Sequence, residues 1–233
     1  MTLILSIETS SQVCSVSLHE NGKEILTREE TGFNVHSALL TSFIEEIVAG
    51  SGKNFSHLDA LAVGKGPGSY TGLRIGVSTA KGLCYGLGIP LIGINTLKGM
   101  ANGFKQNNPE IEETGDPVLF CPMIDARRME VYSAFFNYSV EFFRETSADI
   151  IDEHSYHEIL EKHRVYFFGD GAEKCKTVIP QSSRVNFVPG FFPSASFLGD
   201  LAYLAYQKKE FEDVAYFEPF YLKDFMVTPP KAK

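Results

Sequence analysis

Two acidic residues stand directly after apolar runs that are typical of buried strands. Glu8 follows Leu3–Ile7 and opens a polar turn that includes Ser10, and Asp125 follows Val118–Ile124. A pair of carboxylates at such turns could hold Mg²⁺ through water and nucleotide oxygens. The simpler alternative, which we favour, is that both acids only cap nearby backbone, since acidic residues often serve turns in this way.

A glycine-rich loop is the second candidate. Gly66 and Gly68 follow the apolar strand Leu58–Val63 and precede a helix that begins at Ser69 or Tyr70. Glycines let the backbone approach a neighbour closely, and the start of a helix can bind a phosphate. No Gly-Lys pair of the chain is followed by Ser or Thr, which excludes a Walker A loop.

The second half of the chain repeats this arrangement of a strand followed by glycines, with Gly169 and Gly171 after the strand Val165–Phe168. These two glycines are further candidates for nucleotide or phosphate binding. A dinucleotide site of the Rossmann type is disfavoured, because the strand after the first glycine-rich loop ends in Asn95 and not in an acid, and the chain opens with a meander.

The helix after the first loop carries two stripes at helical spacing. The residues of one stripe are apolar and typical of a core. The other stripe has mostly glycines and therefore little side-chain volume; its members are Gly72, Gly76, Thr79, Leu83 and Gly86. A glycine inside a helix costs about 1 kcal/mol relative to alanine, so several need a compensating reason. We expect this stripe to be exposed and to pack against a helix of a partner. The amphipathic helix Asn34–Val48, with His36, Leu40 and Phe43, is the expected neighbour in that interface.

The remaining polar residues do not form a catalytic set in the sequence. His36 has no histidine four residues away, and the pair His154 and His157 lies in an acidic stretch that is typical of an exposed helix start. Ser69 lacks the context of an activated nucleophile. The pair Arg127-Arg128 could grip a phosphate, although an exposed hairpin turn is slightly favoured. We expect no catalytic residue and no metal site.

Composition narrows the function classes further. The net charge of −8 argues against a protein that binds nucleic acid by itself, because that affinity rests on Lys and Arg at phosphates. Four scattered cysteines without metal-ligand spacing are expected to be reduced and buried, as is usual in the cytoplasm. No signal peptide and no membrane span is expected, since Glu8 ends the first apolar run and no long one follows.

The order of predicted elements is the same in both halves. Three strands, of which the second and third are joined by a hairpin turn at Asn21-Gly22, are followed by helix, strand, helix, strand and helix. The polar stretch Gly103–Asp116 separates this unit from a second one with the same order. We therefore predict an N-terminal lobe over residues 1–103, a C-terminal lobe over 104–226 and a flexible tail over 227–233.

Several segments in order resemble the TsaB (YeaZ) family of tRNA threonylcarbamoyladenosine biosynthesis. They lie in both halves of the chain and are ILSIETSSQVCSVSL (4–18), HSALL (36–40), the glycine-rich stretch 62–97, DARRMEVY (125–132) and GDGAEK (169–174). The resemblance implies the two-lobed α/β fold of actin, hexokinase and Hsp70, built from two βββαβαβα units. Members usually have Asp at the position of Glu8, which is a small departure here.

The same resemblance implies a non-catalytic subunit that supports TsaD, the enzyme that transfers threonylcarbamoyl to the adenosine next to the tRNA anticodon. It implies an ATPase partner, TsaE, a homodimer when the chain is alone, tRNA contact only through the complex, and ATP or ADP with Mg²⁺ at a shared interface but no tightly bound cofactor. It also places the partner contact on the two helices above. Two other functions stay open: a small ATP-dependent kinase of the same superfamily, and a metallopeptidase.

Overall fold

The computed structural model describes residues 1–32, 34–112 and 115–223 of the chain. The predicted flexible tail 227–233 lies outside these residues. The first unit has the predicted order, and its elements are β1 (Leu3–Glu8), β2 (Val13–Glu20), β3 (Lys23–Thr31), α1 (Val35–Gly50), β4 (Ala60–Gly66), α2 (Tyr70–Leu87), β5 (Leu91–Asn95) and α3 (Thr96–Asn107).

The second unit repeats the order with shorter helices. Its elements are β6 (Val118–Asp125), β7 (Glu130–Asn137), β8 (Phe142–Ile150), α4 (His157–Leu160), β9 (Arg164–Phe168), α5 (Ala172–Cys175), β10 (Val185–Val188) and α6 (Gly199–Lys208). Short 3-10 helices add Phe55–His57 and Ala195–Leu198. The predicted helices at 155–163 and after 171 shrink to four residues each, because turns take up the rest of these segments.

The two five-stranded sheets have the same topology, which confirms the duplicated α/β fold. The strand orders are β3-β2-β1-β4-β5 and β8-β7-β6-β9-β10. In each sheet the first three strands pair antiparallel, and the last two join in parallel. The carboxyl ends of the first and fourth strands of each unit are therefore neighbours, and the candidate turns and loops follow those ends.

The first strand of the first sheet, β1, is buried on both faces, whereas the edge strand β3 has no buried residue. Leu5 and Ile7 of β1 pack in the core with α1 and α2, whereas Ile4 points to the other face, toward α6. The turn residues Asn21 and Gly22 have positive φ, as the predicted hairpin requires. The predicted helix over residues 34–48 is α1; Asn34 immediately precedes it and makes no capping hydrogen bond from its side chain.

Each unit contributes one helix to the core of the other. Phe104 of α3 stacks on Phe168 of β9 with ring centroids 4.1 Å apart, and α3 belongs to the core of the second sheet. In the opposite direction, Ala202 and Ala205 of α6 pack on the first sheet. The predicted boundary between residues 103 and 104 thus falls inside α3, and the exchange of helices joins the two lobes.

Candidate functional site

Glu8 is enclosed by the chain itself. Its side chain is at the end of β1 and the residue is 1% exposed. The backbone N–H of Ser10 donates to Oε1 at 2.8 Å, and the Thr96 hydroxyl donates to Oε2 at 3.1 Å. Burial raises the pKa of the Glu8 carboxyl, with these hydrogen bonds acting in the opposite direction. A Cβ at Gly64 would overlap the carboxylate, so only glycine leaves room for it there.

Asp125 has a different environment, because its side chain is 46% exposed. It forms an ion pair with Lys174 and accepts the backbone N–H of Arg127 at 3.2 Å. Its own N–H donates to Asp170 at 3.0 Å, and burial raises the pKa of Asp170. Since the Glu8 carboxylate is buried and both of its oxygens accept hydrogen bonds, the magnesium pair, which was the less favoured interpretation of the sequence, is not presented to a common ligand. Among the described residues no group of three or more His, Cys, Asp or Glu side chains could hold a metal.

The glycines at the start of α2 make room for the turn between β1 and β2. A Cβ at Gly68 would overlap the carbonyl oxygen of Ser10, and one at Gly72 would overlap that of Thr9. The N–H of Ser69 donates to the Ser10 carbonyl at 2.6 Å, which fixes this approach. The space beside Gly68 and Gly72 is therefore filled by carbonyl groups of the chain and is not an open cradle for a phosphate.

Gly76 continues this internal contact. A Cβ there would overlap Oγ1 of Thr9, and that hydroxyl donates to the carbonyl of Gly72 at 2.8 Å. Gly72 and Gly76 are both buried. The prediction of an exposed stripe is wrong for Gly72 and Gly76, because close packing inside the lobe compensates for the cost of these two helix glycines, whereas Gly86 of the same stripe is exposed.

The same device recurs in the second lobe. Gly169 has φ +106°, as has Gly66, and a Cβ at Gly169 would overlap the carbonyl of Met123 at the end of β6. Gly171 lies against Ile124 and Asp125, at 2.9 to 3.0 Å from where its Cβ would be. In each lobe a glycine loop after the fourth strand crosses closely over the end of the first strand. All four candidate loop glycines thus serve close approach within the chain.

The outer surface of α1 and α2 is built from other residues than those predicted. His36 and Leu40 are buried, and the His36 Nε2 lies 3.2 Å from the Val13 carbonyl oxygen. Phe43 and Leu83 are partly buried against the same core, and Thr79 is at intermediate exposure. These five side chains lie mainly on the side of α1 and α2 that faces the core and contribute little to the outer surface of the two helices.

The small-residue face of α2 that is open to solvent lies further along the helix. Gly82 and Gly86 have no atom within 4 Å of their Cβ positions, and Tyr85 between them is 87% exposed. Sequence reasoning missed Tyr85; the signal was an aromatic residue flanked by glycines on the polar side of the core stripe. A bare backbone beside an exposed aromatic side chain is a suitable surface for close packing of another helix.

The paired arginines lie in an exposed hairpin turn and the two close histidines at an exposed helix start, which are the interpretations that the sequence favoured. Arg127 and Arg128 both have positive φ and are exposed at the tip of the hairpin between β6 and β7. The side chains of His154 and His157 are 84% and 67% exposed, beside glutamates. The four cysteines are free and buried, as predicted. In the described part of the chain no helix is long and apolar enough to span a membrane.

A buried histidine was also missed. His19 is 1% exposed, and its ring nitrogens lie 3.2 Å from the hydroxyls of Ser6 and Ser17 and 3.3 Å from the carbonyl oxygen of Ser196. Burial lowers the pKa of His19 to about 4. The alternation of Ser15, Ser17 and His19 along β2 was the available signal. This polar row fastens the segment before α6 to the first sheet.

The architecture defines the class: a two-lobed α/β protein of the actin, hexokinase and Hsp70 type. A solved structure from Pseudomonas aeruginosa, described as an uncharacterized protein with similarity to peptidase YEAZ, matches 96% of this chain and 100% of its own with a TM-score of 0.77 at 24% identity. A polyphosphate/ATP-glucomannokinase from Arthrobacter sp. strain KM matches 89% of this chain and 100% of its own, with a TM-score of 0.50 at 13% identity. At these identities both likenesses concern the fold alone.

Sequence comparison gives the family. The family model described as TsaD, tRNA N6-adenosine threonylcarbamoyltransferase, matches residues 30–227. The Escherichia coli tRNA threonylcarbamoyladenosine biosynthesis protein TsaB is 37% identical over 136 residues, which are 56% of this chain and 53% of that protein. Its Haemophilus influenzae counterpart is 38% identical over 129 residues, 55% of this chain and 51% of that protein.

The chain belongs to the family that this model describes, and its similarity to relatives named TsaB supports the TsaB (YeaZ) resemblance that the sequence motifs carry. It spans about half the length of the curated relatives it matches. A tRNA N6-adenosine threonylcarbamoyltransferase of Geobacillus thermodenitrificans is also similar, at 34% identity over 41% of this chain and 33% of that enzyme.

Proposed function

We propose that this chain is a non-catalytic subunit that pairs with a TsaD-type threonylcarbamoyltransferase and supports the modification of tRNA. The observation that carries the proposal is the family, in which relatives named TsaB occur beside transferases named for the reaction. The buried Glu8 supports the non-catalytic part, because both oxygens of its carboxylate are engaged by the chain. The net charge of −8 supports tRNA contact only through the complex.

We further propose that the partner docks on the outer face of α2 around Tyr85, together with α1. Gly82 and Gly86 allow a partner helix to approach the α2 backbone, and burying Tyr85 would remove a large exposed ring from water. When the chain is alone, the same face is proposed to form a homodimer. The partly buried Phe43 and Leu83 lie at the edge of this surface and supply apolar contact.

ATP or ADP with Mg²⁺ is proposed to bind at an interface shared with the partner, where a TsaE-type ATPase joins. The exposed Asp125 and the hairpin arginines are the residues of this chain that could reach such a ligand, since Glu8 is enclosed. We place the complex in the cytoplasm, where a tRNA-modifying subunit with reduced cysteines would act.

Reconstitution tests the proposal. TsaD, TsaE, tRNA, ATP and threonylcarbamoyl-adenylate should yield modified adenosine only when this chain is added. Tyr85→Ala and Gly82→Leu should leave the circular dichroism spectrum unchanged and reduce both association and product. Ile150→Ala is the matched control, because Ile150 is 77% exposed on the other lobe.

Three results would contradict this function. Full modification without the chain would remove the accessory role. ATP turnover by the isolated chain that is lost on Asp125→Ala would favour a small kinase. One tightly bound zinc or iron per chain, found by elemental analysis, would favour a metallopeptidase.

A further inference from the structure

A groove lies where the edge strands of the two sheets meet. β5 is the outermost strand of the first sheet, and β8 is the outermost strand of the second. The groove has a volume of about 600 Å³ and is lined by residues 92–95 of β5, by Phe142 and Glu145 of β8, and by Leu201 and Leu204 of α6. A volume of this size at the junction of two lobes is typical of a binding site.

The outer edge of β5 opens into this groove at Gly93. On one side of the chain, the carbonyl of Pro90, just before β5, accepts the N–H of Leu61 from β4. On the other side, the Leu91 carbonyl accepts the N–H of Glu212 at 2.8 Å, in an isolated antiparallel bridge. Because peptide groups alternate along a strand, Gly93 directs its N–H and carbonyl to the same outer side as Leu91. The edge thus pairs with one extended segment and presents its next outward peptide group to the groove.

The walls of the groove expose large apolar side chains. Leu204 is 54% exposed, Phe211 42% and Phe220 38%, and all three line the groove. Several such side chains around one groove indicate an interaction site, whereas single exposed apolar residues are ordinary. The side chains of a strand alternate between its two faces, and Ile92 and Ile94 of β5 point toward α6. A segment that paired with β5 would therefore direct every second side chain toward the same apolar wall.

The charges around the groove suit a peptide better than an anionic ligand. Three lysines and three glutamates line it, so their formal charges sum to zero. The Lys65 Nζ lies 3.2 Å from Oε1 of Glu212, and the Lys208 Nζ lies 4.0 Å from Oε1 of Glu210. A nucleotide would meet a carboxylate beside each of these lysines, whereas a peptide backbone is uncharged.

The end of the groove at α3 is fixed by one side chain. Oδ1 of Asn95 accepts the N–H of Lys98 at 3.0 Å and so caps α3. Nδ2 of the same residue donates to Oγ1 of Thr146 on β8 at 3.1 Å. Asn95 thus joins the end of β5 to the edge strand of the other lobe. The groove is formed before a ligand binds, which lowers the entropic cost of binding.

We propose that this groove binds an extended peptide segment of a partner protein, which adds to the outer edge of β5 and places apolar side chains against α6. In this mode of recognition the main-chain hydrogen bonds give affinity, and the apolar wall selects the side chains. The residues that line the groove lie outside α1 and α2, so the proposal is independent of the docking face around Tyr85.

Affinity selection on the full chain tests the proposal. The probe is a pool of acetylated and amidated pentapeptides with Val, Ile or Leu at the second and fourth positions and mixed residues elsewhere. Selected peptides should bind Leu204→Asp about tenfold more weakly than the parent in fluorescence anisotropy, because the variant loses apolar contact area. Phe211→Ser should act in the same direction. Both variants should keep the circular dichroism spectrum of the parent, since both residues are exposed.

The matched control is Ile25→Asp, which should bind the peptides as the parent does. Ile25 is 41% exposed and lies on β3, at the opposite edge of the same sheet. The substitution therefore places the same charge on an exposed apolar position outside the groove.

N-methylation of the peptide distinguishes strand addition from binding through side chains alone. A methyl group on the N–H that pairs with the Gly93 carbonyl should weaken binding about fivefold, the effect of one lost hydrogen bond. The same change at the two neighbouring positions should have little effect, because their N–H groups point away from β5. The Gly93 amide should exchange its hydrogen more slowly when the peptide is bound.

Two results would overturn the proposal. A pool in which no peptide is retained more strongly by the parent than by Leu204→Asp and Phe211→Ser would show that the groove is not a peptide site. Equal effects of N-methylation at every position, with unchanged exchange at Gly93, would show that the groove binds side chains or a small molecule without strand pairing.

Discussion

Gly76→Ala compared with Gly82→Ala measures directly which face of α2 is internal. Both glycines lie inside the same helix, so the gain in helix propensity, about 1 kcal/mol, is common to the two substitutions. A Cβ at Gly76 would come closer than 3.0 Å to Oγ1 of Thr9, a residue that is 0% exposed, whereas a Cβ at Gly82 meets no atom within 4 Å. The difference between the variants is therefore the cost of overpacking, about 1 to 3 kcal/mol.

A double-mutant cycle locates the contact. Thr9→Ala removes the Oγ1 atom that a methyl group at position 76 would meet, so it should recover roughly 1 kcal/mol of the Gly76→Ala loss. It should recover nothing for Gly72→Ala, because the Cβ there meets the carbonyl oxygen of Thr9, which remains in the variant. Urea denaturation followed by circular dichroism gives the free energies of unfolding. Equal stability of Gly76→Ala and Gly82→Ala would refute the internal assignment.

Three further predictions concern the turns and the buried titratable groups. The pKa of His19 is about 4 in the fold and 6.5 as its ordinary value, so below pH 6.5 the unfolded chain binds a proton that the folded chain does not. The free energy of unfolding should therefore drop by about 3 kcal/mol between pH 7 and pH 4. His19→Gln should remove this contribution to the pH dependence of stability, which urea denaturation at a series of pH values measures. Because burial raises the pKa of Glu8, ionisation of this carboxyl at pH values above its ordinary pKa of 4.5 destabilises the folded chain. Glu8→Gln should therefore raise the melting temperature at pH 8 relative to the parent, and this difference in melting temperature should shrink as the pH falls toward 4. Gly68→Ala should lower stability by about 1 to 3 kcal/mol, since its Cβ would overlap the Ser10 carbonyl, and an unchanged melting temperature would show that the loop can move away.

The first of these pH effects depends on a contact between distant parts of the chain. His19 lies on β2, and the 3-10 helix at Ala195–Leu198 covers it, so its depressed pKa reports on docking of the segment before α6. A loss of stability at acid pH that persists in His19→Gln would assign the effect to other groups.

Local patterns in the sequence were sufficient for the order of elements. Alternating and continuous apolar runs marked the strands, Asn21-Gly22 indicated the hairpin between β2 and β3, and the repeated order predicted two lobes of one fold. These features depend on residues a few positions apart, which is why they are legible in one chain. The motifs at 4–18 and 125–132 also gave the family.

The sequence by itself could not determine what the glycines face. Gly72 and Gly86 have the same helical periodicity, yet one lies against a carbonyl of Thr9 and the other is open to solvent. Helical periodicity shows which residues share one side of a helix, but it does not show what that side packs against. Gly72 packs against Thr9, which is more than sixty residues away in the chain. Only the tertiary structure decided that Glu8 is enclosed, that α3 and α6 exchange between the lobes, and that the exposed surface of α2 is centred on Tyr85, because each depends on how distant segments pack against one another.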